Sequence, residues 1–167
     1  MTYRIAFFTY GVLNAPVGHP TVQGFVDRIA SVYASAEGSL GFFARSERNV
    51  HTWEHSWGPV IAPRCTPEGV SLNELAMALS LWRDMESVAA FAYRSAHGEA
   101  LSHRTDWFRK GSWPVYVAWW VEENHTPNWT EAADRLDHLH VNGSTPSAFT
   151  FKQPFDANGA PARLKRA

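Results

Sequence analysis

The chain has little cysteine, no excess of either charge and no long apolar run. Its single cysteine, Cys65, excludes an internal disulfide framework and lies between Pro63 and Pro67, which predicts a loop. No base can be paired with Cys65 from the sequence, so a nucleophilic role is disfavoured. The 15 basic and 16 acidic residues give a formal net charge of −1 without long runs of one sign, so we expect no nucleic-acid partner.

The lack of a long apolar run also bears on membrane insertion and on cellular location. No segment approaches the roughly 18 consecutive apolar residues of a transmembrane helix. The N-terminus also lacks a basic region followed by a cleavable apolar core. We therefore expect a soluble, cytoplasmic protein with no membrane partner.

The chain is rich in tryptophan, with eight residues. Two interpretations stay open. The rings could fill a large core, because tryptophan buries well, or they could line a cavity for a flat or apolar ligand. Five of the eight lie between positions 75 and 121, so we expect any pocket in this stretch.

The stretch 75–121 predicts a strand, a broken pair of helices and a second strand. Residues 77–82 and 115–121 alternate between two faces, as pleated strands require. Asp84 is a good N-cap for the first helix, because apolar residues follow it at helical spacing. Gly98 weakens this helix, and a second helical pattern follows it.

The flanking segments complete an antiparallel sheet. Residues 3–12 predict a first strand, 22–38 a helix and 40–45 a second strand. Asn128 begins a capping-box pattern for another helix, and 148–153 predict a last strand. The order indicates an α+β fold with helices on one face of the sheet.

We predict a single domain over residues 1–155. Proline and glycine interrupt 47–73, which predicts an irregular insertion or a lid. Residues 156–167 predict a mobile C-terminal tail. One apolar, aromatic face of the sheet remains for a second copy or a ligand, so we predict a homodimer.

Several segments of the chain carry a resemblance to a known family: Leu79-Ser80-Leu81-Trp82, Phe91-Ala92-Tyr93-Arg94-Ser95-Ala96-His97, Arg104-Thr105-Asp106-Trp107-Phe108, Trp119-Trp120-Val121 with His125-Thr126-Pro127, and Ala148-Phe149-Thr150-Phe151. Together they resemble a bacterial family of unknown function. That family looks like a member of the dimeric α/β-barrel superfamily, whose ferredoxin-like subunits are related to antibiotic-biosynthesis monooxygenases. The resemblance covers roughly residues 3–155 and implies a ferredoxin-like antiparallel sheet that forms a dimeric α/β barrel.

The resemblance also implies a pocket between the sheet and the helices of each subunit. Relatives in that superfamily include cofactor-free oxygenases of aromatic polyketides, haem-degrading enzymes, haem peroxidases and lactone isomerases. One fold hosts many functions, so the resemblance supports the fold more strongly than any activity.

Three residues are our catalytic candidates. Helical spacing places Tyr93, His97 and Arg104 near one face, where a phenol, an imidazole and a guanidinium could converge on a ligand. His97 would transfer the proton, and Arg104 would stabilise an enolate or phenolate. In the alternative interpretation, His97 caps the preceding helix and Arg104 pairs with a surface carboxylate.

The predicted substrate-binding set is mostly aromatic. Trp119 and Trp120 are adjacent in a strand and point to opposite faces, and we favour Trp120 for the pocket wall. His125 is expected at the rim, and Trp53 in a covering flap. The full set is Phe8, Trp53, Trp82, Trp107, Trp120 and His125.

No metal site is predicted. His51 and His55 have helical i, i+4 spacing, but the surrounding proline and glycine argue against a helix there. We predict no cofactor, while haem stays an alternative, with His97 or His125 as the axial ligand to test.

The leading functional prediction is an enzyme of small-molecule, specialised metabolism. It would act on an apolar aromatic or polyenic substrate in a tryptophan-lined pocket, by acid/base-assisted oxygenation or by isomerisation or cyclisation. The alternatives are a non-catalytic carrier or sensor of such a ligand and a haem-binding enzyme.

Overall fold

One antiparallel sheet organises the computed structural model, which describes residues 1–94 and 102–165. The four strands are β1 (Tyr3–Val12), β2 (Phe42–Arg45), β3 (Leu75–Trp82) and β4 (Tyr116–Glu122). Their spatial order is β2-β3-β1-β4, and every neighbouring pair is antiparallel. Within these two ranges four α-helices accompany the sheet: α1 (Gln23–Glu37), α2 (Met85–Arg94), α3 (Arg104–Trp107) and α4 (Trp129–Asn142). The α+β prediction is therefore confirmed.

Two of the predicted caps hold the ends of helices. Asp84 Oδ1 accepts a hydrogen bond from the Ser87 backbone N–H at 2.8 Å, in the first turn of α2. Asn128 Oδ1 accepts one from the Glu131 backbone N–H at 2.8 Å, at the start of α4. Each cap satisfies a backbone donor that the helix itself leaves unpaired.

Strand alternation divides the apolar residues between two cores. On the α2 face of the sheet, Ile5 and Phe7 of β1 pack with α2, with part of α1 and with aromatic residues of the C-terminal segment. On the α4 face, Ala6 and Phe8 pack with α4 and with segment 47–73. The register puts Ile5 between Trp82 and Trp120, so these two tryptophans share the α2 face.

The prediction that the helices lie on one face of the sheet is wrong. The connecting helices α1 and α2 share a face, but α4 covers the other one with Trp129, Ala132, Leu136 and Leu139. Both faces of β1 and β4 are apolar, so each needs a cover, and the chain supplies both from its own length. The sheet face that we expected a second copy to cover is thus occupied within one chain.

Segment 47–73 is irregular and ends in a 3₁₀ turn at Leu72–Glu74. Five of its side chains pack on the core of the α4 face: Trp57, Val60, Ala62, Cys65 and Val70. It also holds polar contacts with the core, because Tyr10 Oη donates to Thr66 Oγ1 at 2.8 Å. The segment is a cover for the sheet rather than a detached loop.

The short helix α3 approaches the sheet closely at Gly11 of β1. A Cβ atom on Gly11 would lie 2.6 Å from the Phe108 ring, so only glycine allows this contact. Of the second predicted helix, the structure describes α3 and the helical Ser102, while its start at Glu99 and the predicted break at Gly98 lie outside the described residues.

The C-terminal segment returns to the sheet. The predicted strand at 148–153 is reduced to isolated bridges, one of which pairs Phe149 with Ala118 on β4. Leu164 packs on the core of the α2 face, and the Lys165 N–H donates to Glu86 Oε1 at 3.3 Å. The mobility that we predict for 156–167 stays a prediction. Within the described ranges, no helix has the length and apolar character needed to cross a membrane.

Candidate functional site

His125 lies in the turn between β4 and α4. Its backbone N–H donates to the Glu122 carbonyl at 2.9 Å, which closes the turn as the strand ends. The Asn128 cap then starts α4 three residues later. This compact connection brings His125 beside Glu131 in the first turn of the helix.

Glu131 uses its two carboxylate oxygens for different partners. Oε2 lies 2.7 Å from His125 Nε2, and Oε1 accepts a hydrogen bond from the Trp119 indole N–H at 2.8 Å. Arg135 Nη2 lies 3.8 Å from Oε1. Because the side chain of Glu131 is only 19% exposed, these contacts replace most of the water that its charge would otherwise bind.

The contact with Glu131 fixes the chemistry of the imidazole. An ionised carboxylate only accepts hydrogen bonds, so Nε2 of His125 carries a proton and donates it to Oε2. In the neutral ring, Nδ1 then holds a lone pair. Nδ1 has no hydrogen-bond partner among the described residues, and the side chain is 46% exposed. The pair therefore presents a base to solvent, oriented by a carboxylate.

An open groove of about 650 Å³ runs along α4, and Glu131 is part of its lining whereas His125 is not. The residues that line it all carry polar or charged side chains, among them two carboxylates, a guanidinium and the imidazole of His138. The lining residues are Asn128, Thr130, Glu131, Asp134, Arg135, His138 and Ser147. A second open groove of about 530 Å³ lies on α1, where Tyr33 and Arg45 are among the lining residues.

The predicted aromatic set is spread over both faces of the sheet. Trp82 and Trp120 share the α2 face, where Trp82 is 1% exposed and Trp120 donates its indole N–H to the Phe155 carbonyl at 2.7 Å. Phe8 is fully buried on the α4 face, against Trp129. One cavity cannot be lined by both groups, because the sheet separates them.

Trp53 and Trp107 lie outside both cores. Trp53 is 65% exposed with a φ of 64°, and the Arg48 guanidinium lies 3.7 Å from its ring centre. Trp107 is buried against Phe25 and lies beneath the Arg28 guanidinium at 5.1 Å. The predicted flap residue thus points away from the sheet.

The predicted catalytic trio is described only in part. His97 lies outside the described residues. Tyr93 is 65% exposed at the end of α2, with its ring 5.8 Å from that of Phe151, and Arg104 is exposed in α3. Neither Tyr93 nor Arg104 lines one of the two grooves described above. Their catalytic roles stay predictions.

Burial also shifts the pKa of groups that are not part of the His125–Glu131 pair. It raises the pKa of the Cys65 thiol to about 12, with a further contribution from the nearby Asp137 charge. This thiol stays protonated near neutral pH, which disfavours a nucleophilic role. Burial, followed by the Arg48 charge, lowers the pKa of His55.

Sequence reasoning missed the central residue of this site. Glu131 was predicted only as the last member of a capping box, and His125 as a rim residue or an alternative haem ligand. The signal available was a buried-strand tryptophan, a loop histidine and a first-turn glutamate within thirteen positions. Their contact depends on how the turn after β4 closes, which the spacing alone does not define.

Comparison with known proteins gives one family and some distant structures. The family described as a domain of unknown function, DUF3291, matches residues 4–165. No curated protein matches the chain. A conserved protein from Methanosarcina mazei Go1 is similar in structure at 11% identity, covering 74% of this chain and 95% of that one with a TM-score of 0.44.

Two further structures are similar at the same level. PA3566 from Pseudomonas aeruginosa has 8% identity, covering 75% of this chain and 98% of that one with a TM-score of 0.45. The NE2512 protein of unknown function from Nitrosomonas europaea has 11% identity, covering 75% of this chain and 94% of that one with a TM-score of 0.44. Similarity this distant carries no conclusion about function.

Proposed function

The chain belongs to the DUF3291 family, and we propose that it is an enzyme that moves a proton on a small molecule. His125 is the acid and base, and Glu131 orients its ring. The observation that carries the proposal is the 2.7 Å contact between Nε2 and Oε2, which leaves Nδ1 free to meet a substrate. Carboxylate-oriented histidines act in this way in enzymes that need proton transfer near neutral pH.

Isomerisation is the reaction that this pair supports most directly. Nδ1 would take a proton from a carbon next to a carbonyl group and return it to a neighbouring atom of the same molecule. Arg135, one turn along α4, would supply positive charge beside the groove as the enolate forms. The lining side chains include Glu131 and Arg135, so we propose a small, polar carbonyl compound that binds along the groove and reaches His125, which contacts Glu131 but does not itself line the groove.

Hydrogen exchange from solvent tests this proposal without a known product. The protein would be incubated in D₂O with a panel of small hydroxy-carbonyl and oxo-acid compounds, and loss of the C–H signal followed by NMR. His125→Gln should slow catalysed exchange by roughly 10²- to 10⁴-fold. His51→Gln, at an exposed histidine in segment 47–73, is the matched control and should leave the rate unchanged. Equal rates in wild type and His125→Gln would refute the role of His125.

A second proposal keeps the predicted apolar ligand but places it on the α2 face, at residues of which only Tyr93 belongs to the predicted site. The observation in its favour is a group of contacting rings: Phe7, Tyr116 and Phe151 have centroids 4.8 to 5.8 Å apart, and Tyr93 contacts Phe151. Such a surface would suit an aromatic or polyenic ligand. Oxygenation or cyclisation of that ligand, or simple carriage, would then take place here rather than in the α4 groove.

Simple measurements separate these alternatives. A Soret band in the purified protein would support haem binding. Quenching of tryptophan fluorescence by a polyene, lost in Tyr93→Ala and kept in His125→Gln, would support the apolar site. If neither variant changes the quenching, the α2-face proposal fails.

The spatial strand order β2-β3-β1-β4 supports a ferredoxin-like subunit. It arises from a chain in which α1 connects β1 to β2 and α2 follows β3, as in the β-α-β-β-α-β arrangement of that fold. The dimeric α/β barrel remains a proposal on that basis, and it requires α4 and segment 47–73 to leave the sheet face that they cover within one chain. Light scattering at several protein concentrations would test it, and a monomer at all of them would end it.

A further inference from the structure

Trp119 is a core residue whose single polar atom reaches the candidate site. Its side chain is 1% exposed, packed between β1 and α4 on the α4 face. The indole N–H donates to Glu131 Oε1 at 2.8 Å, while Oε2 alone faces His125. One carboxylate oxygen is therefore anchored in the core, and the other is presented to the imidazole.

We infer that Trp119 is a positioning residue for the His125–Glu131 pair, an inference that rests on the proposed function. The terminal torsion of a glutamate side chain is broad, so a free carboxylate presents either oxygen over a range of angles. A donor fixed in a closely packed core removes that freedom before any substrate binds. With Oε2 held in place, His125 keeps its proton on Nε2 and its lone pair on Nδ1.

Trp120 provides a matched control on the same strand. Its indole N–H also donates to a single acceptor, the Phe155 carbonyl at 2.7 Å, but on the opposite face of the sheet. Replacing either tryptophan with phenylalanine keeps a ring and removes one hydrogen bond. Only the loss at Trp119 affects Glu131.

The test is the tautomer ratio of the His125 ring, read from ¹⁵N NMR at a pH where the ring is neutral. Trp119→Phe should lower the ratio of Nε2–H to Nδ1–H forms by about 2- to 10-fold, the equivalent of one net hydrogen bond. Trp120→Phe should leave the ratio unchanged. A wild-type ratio in folded Trp119→Phe would overturn the inference.

A second measurement applies if Trp119→Phe does not fold. In the wild-type protein, the Trp119 indole N–H resonance should move as Glu131 is protonated in acid, and the Trp120 resonance should not follow that titration. A Trp119 resonance that ignores the titration would overturn the inference.

Glu131→Ala distinguishes failure of the positioning role of Trp119 from failure of the proposed function. If it changes the tautomer ratio while Trp119→Phe does not, the positioning role fails and the proposed function stands. If Glu131→Ala also leaves the ratio unchanged, Glu131 does not orient His125, and both fail.

Discussion

Replacing Asp137 with alanine should release segment 47–73 from α4. Asp137 is 6% exposed, and its two oxygens accept the backbone N–H groups of Arg64 at 2.8 Å and Cys65 at 2.9 Å. Arg64 Nε lies 3.6 Å away as a more exposed partner. The carboxylate thus ties the irregular segment to the helix over more than seventy positions.

The expected cost follows from these contacts. Two hydrogen bonds to a charged acceptor contribute about 1.5 to 3 kcal/mol each, and their loss leaves two backbone donors poorly solvated. Alanine has a higher helix propensity than aspartate, which offsets about 0.5 kcal/mol of this loss. We therefore expect Asp137→Ala to lower the free energy of unfolding by about 2.5 to 5.5 kcal/mol, or about 1 to 3 M in the urea midpoint at a slope of about 2 kcal/mol/M.

Asp134 is the matched control, one helical turn before Asp137. It meets Arg64 at 3.5 Å, but both side chains are more than half exposed. An exposed ion pair of this kind contributes about 0 to 1 kcal/mol. If Asp137→Ala lowers stability no more than Asp134→Ala does, the anchoring role of Asp137 is refuted.

Alkylation of Cys65 gives an independent measure of the same release. The pKa of Cys65 is raised to about 12 by burial and by Asp137. Removing Asp137 lowers the charge repulsion and opens the segment, so iodoacetamide should react faster with Asp137→Ala than with wild type at pH 8. Equal rates would mean that the segment stays in place without Asp137.

Three further outcomes are expected. Burial alone would raise the pKa of Asp84, but hydrogen bonds from Ser87 lower it. Asp84→Ala should therefore lower the free energy of unfolding, measured in urea, by about 1 to 2 kcal/mol at pH 7, and by less once acid protonates Asp84. No loss at pH 7 would contradict the cap. Burial, then Arg48, lowers the pKa of His55 from 6.5, so the unfolded chain binds a proton that the folded chain resists, and stability should fall as the pH drops through that value. His55→Gln should flatten this dependence, and an unchanged slope would contradict it. Leu164→Ser should lower stability by about 1 kcal/mol if the C-terminal segment is packed, whereas no change would favour the predicted mobile tail.

The strands were the most predictable part of the molecule. Residues 3–12 were predicted as a strand from alternation alone, and β1 has those bounds. Asp84 and Asn128 were predicted as caps, and both accept the expected backbone hydrogen bond. Alternation and capping depend on residues close in sequence, so the sequence displays them directly.

The placement of the helices was not predictable in the same way. An apolar stripe on α4 shows that the helix is buried, but not on which face of the sheet. That choice follows from the turn through His125 and from the space left by segment 47–73. The position of that segment depends on contacts between distant residues, such as Asp137 with Cys65. Local patterns carry no information about them.

Glu131 shows how a correct local pattern can conceal a distant role. The spacing of Asn128 and Glu131 predicted a reciprocal capping box, yet only the asparagine half forms, through the Glu131 backbone N–H. The Glu131 carboxylate then takes no part in the cap, and it is too buried for water alone to solvate its charge. It must find donors from elsewhere in the fold, and Trp119 and His125 supply them. Where one half of a capping box satisfies the helix end, the unused side chain is thus a position at which to look for tertiary partners, and here those partners form the candidate site.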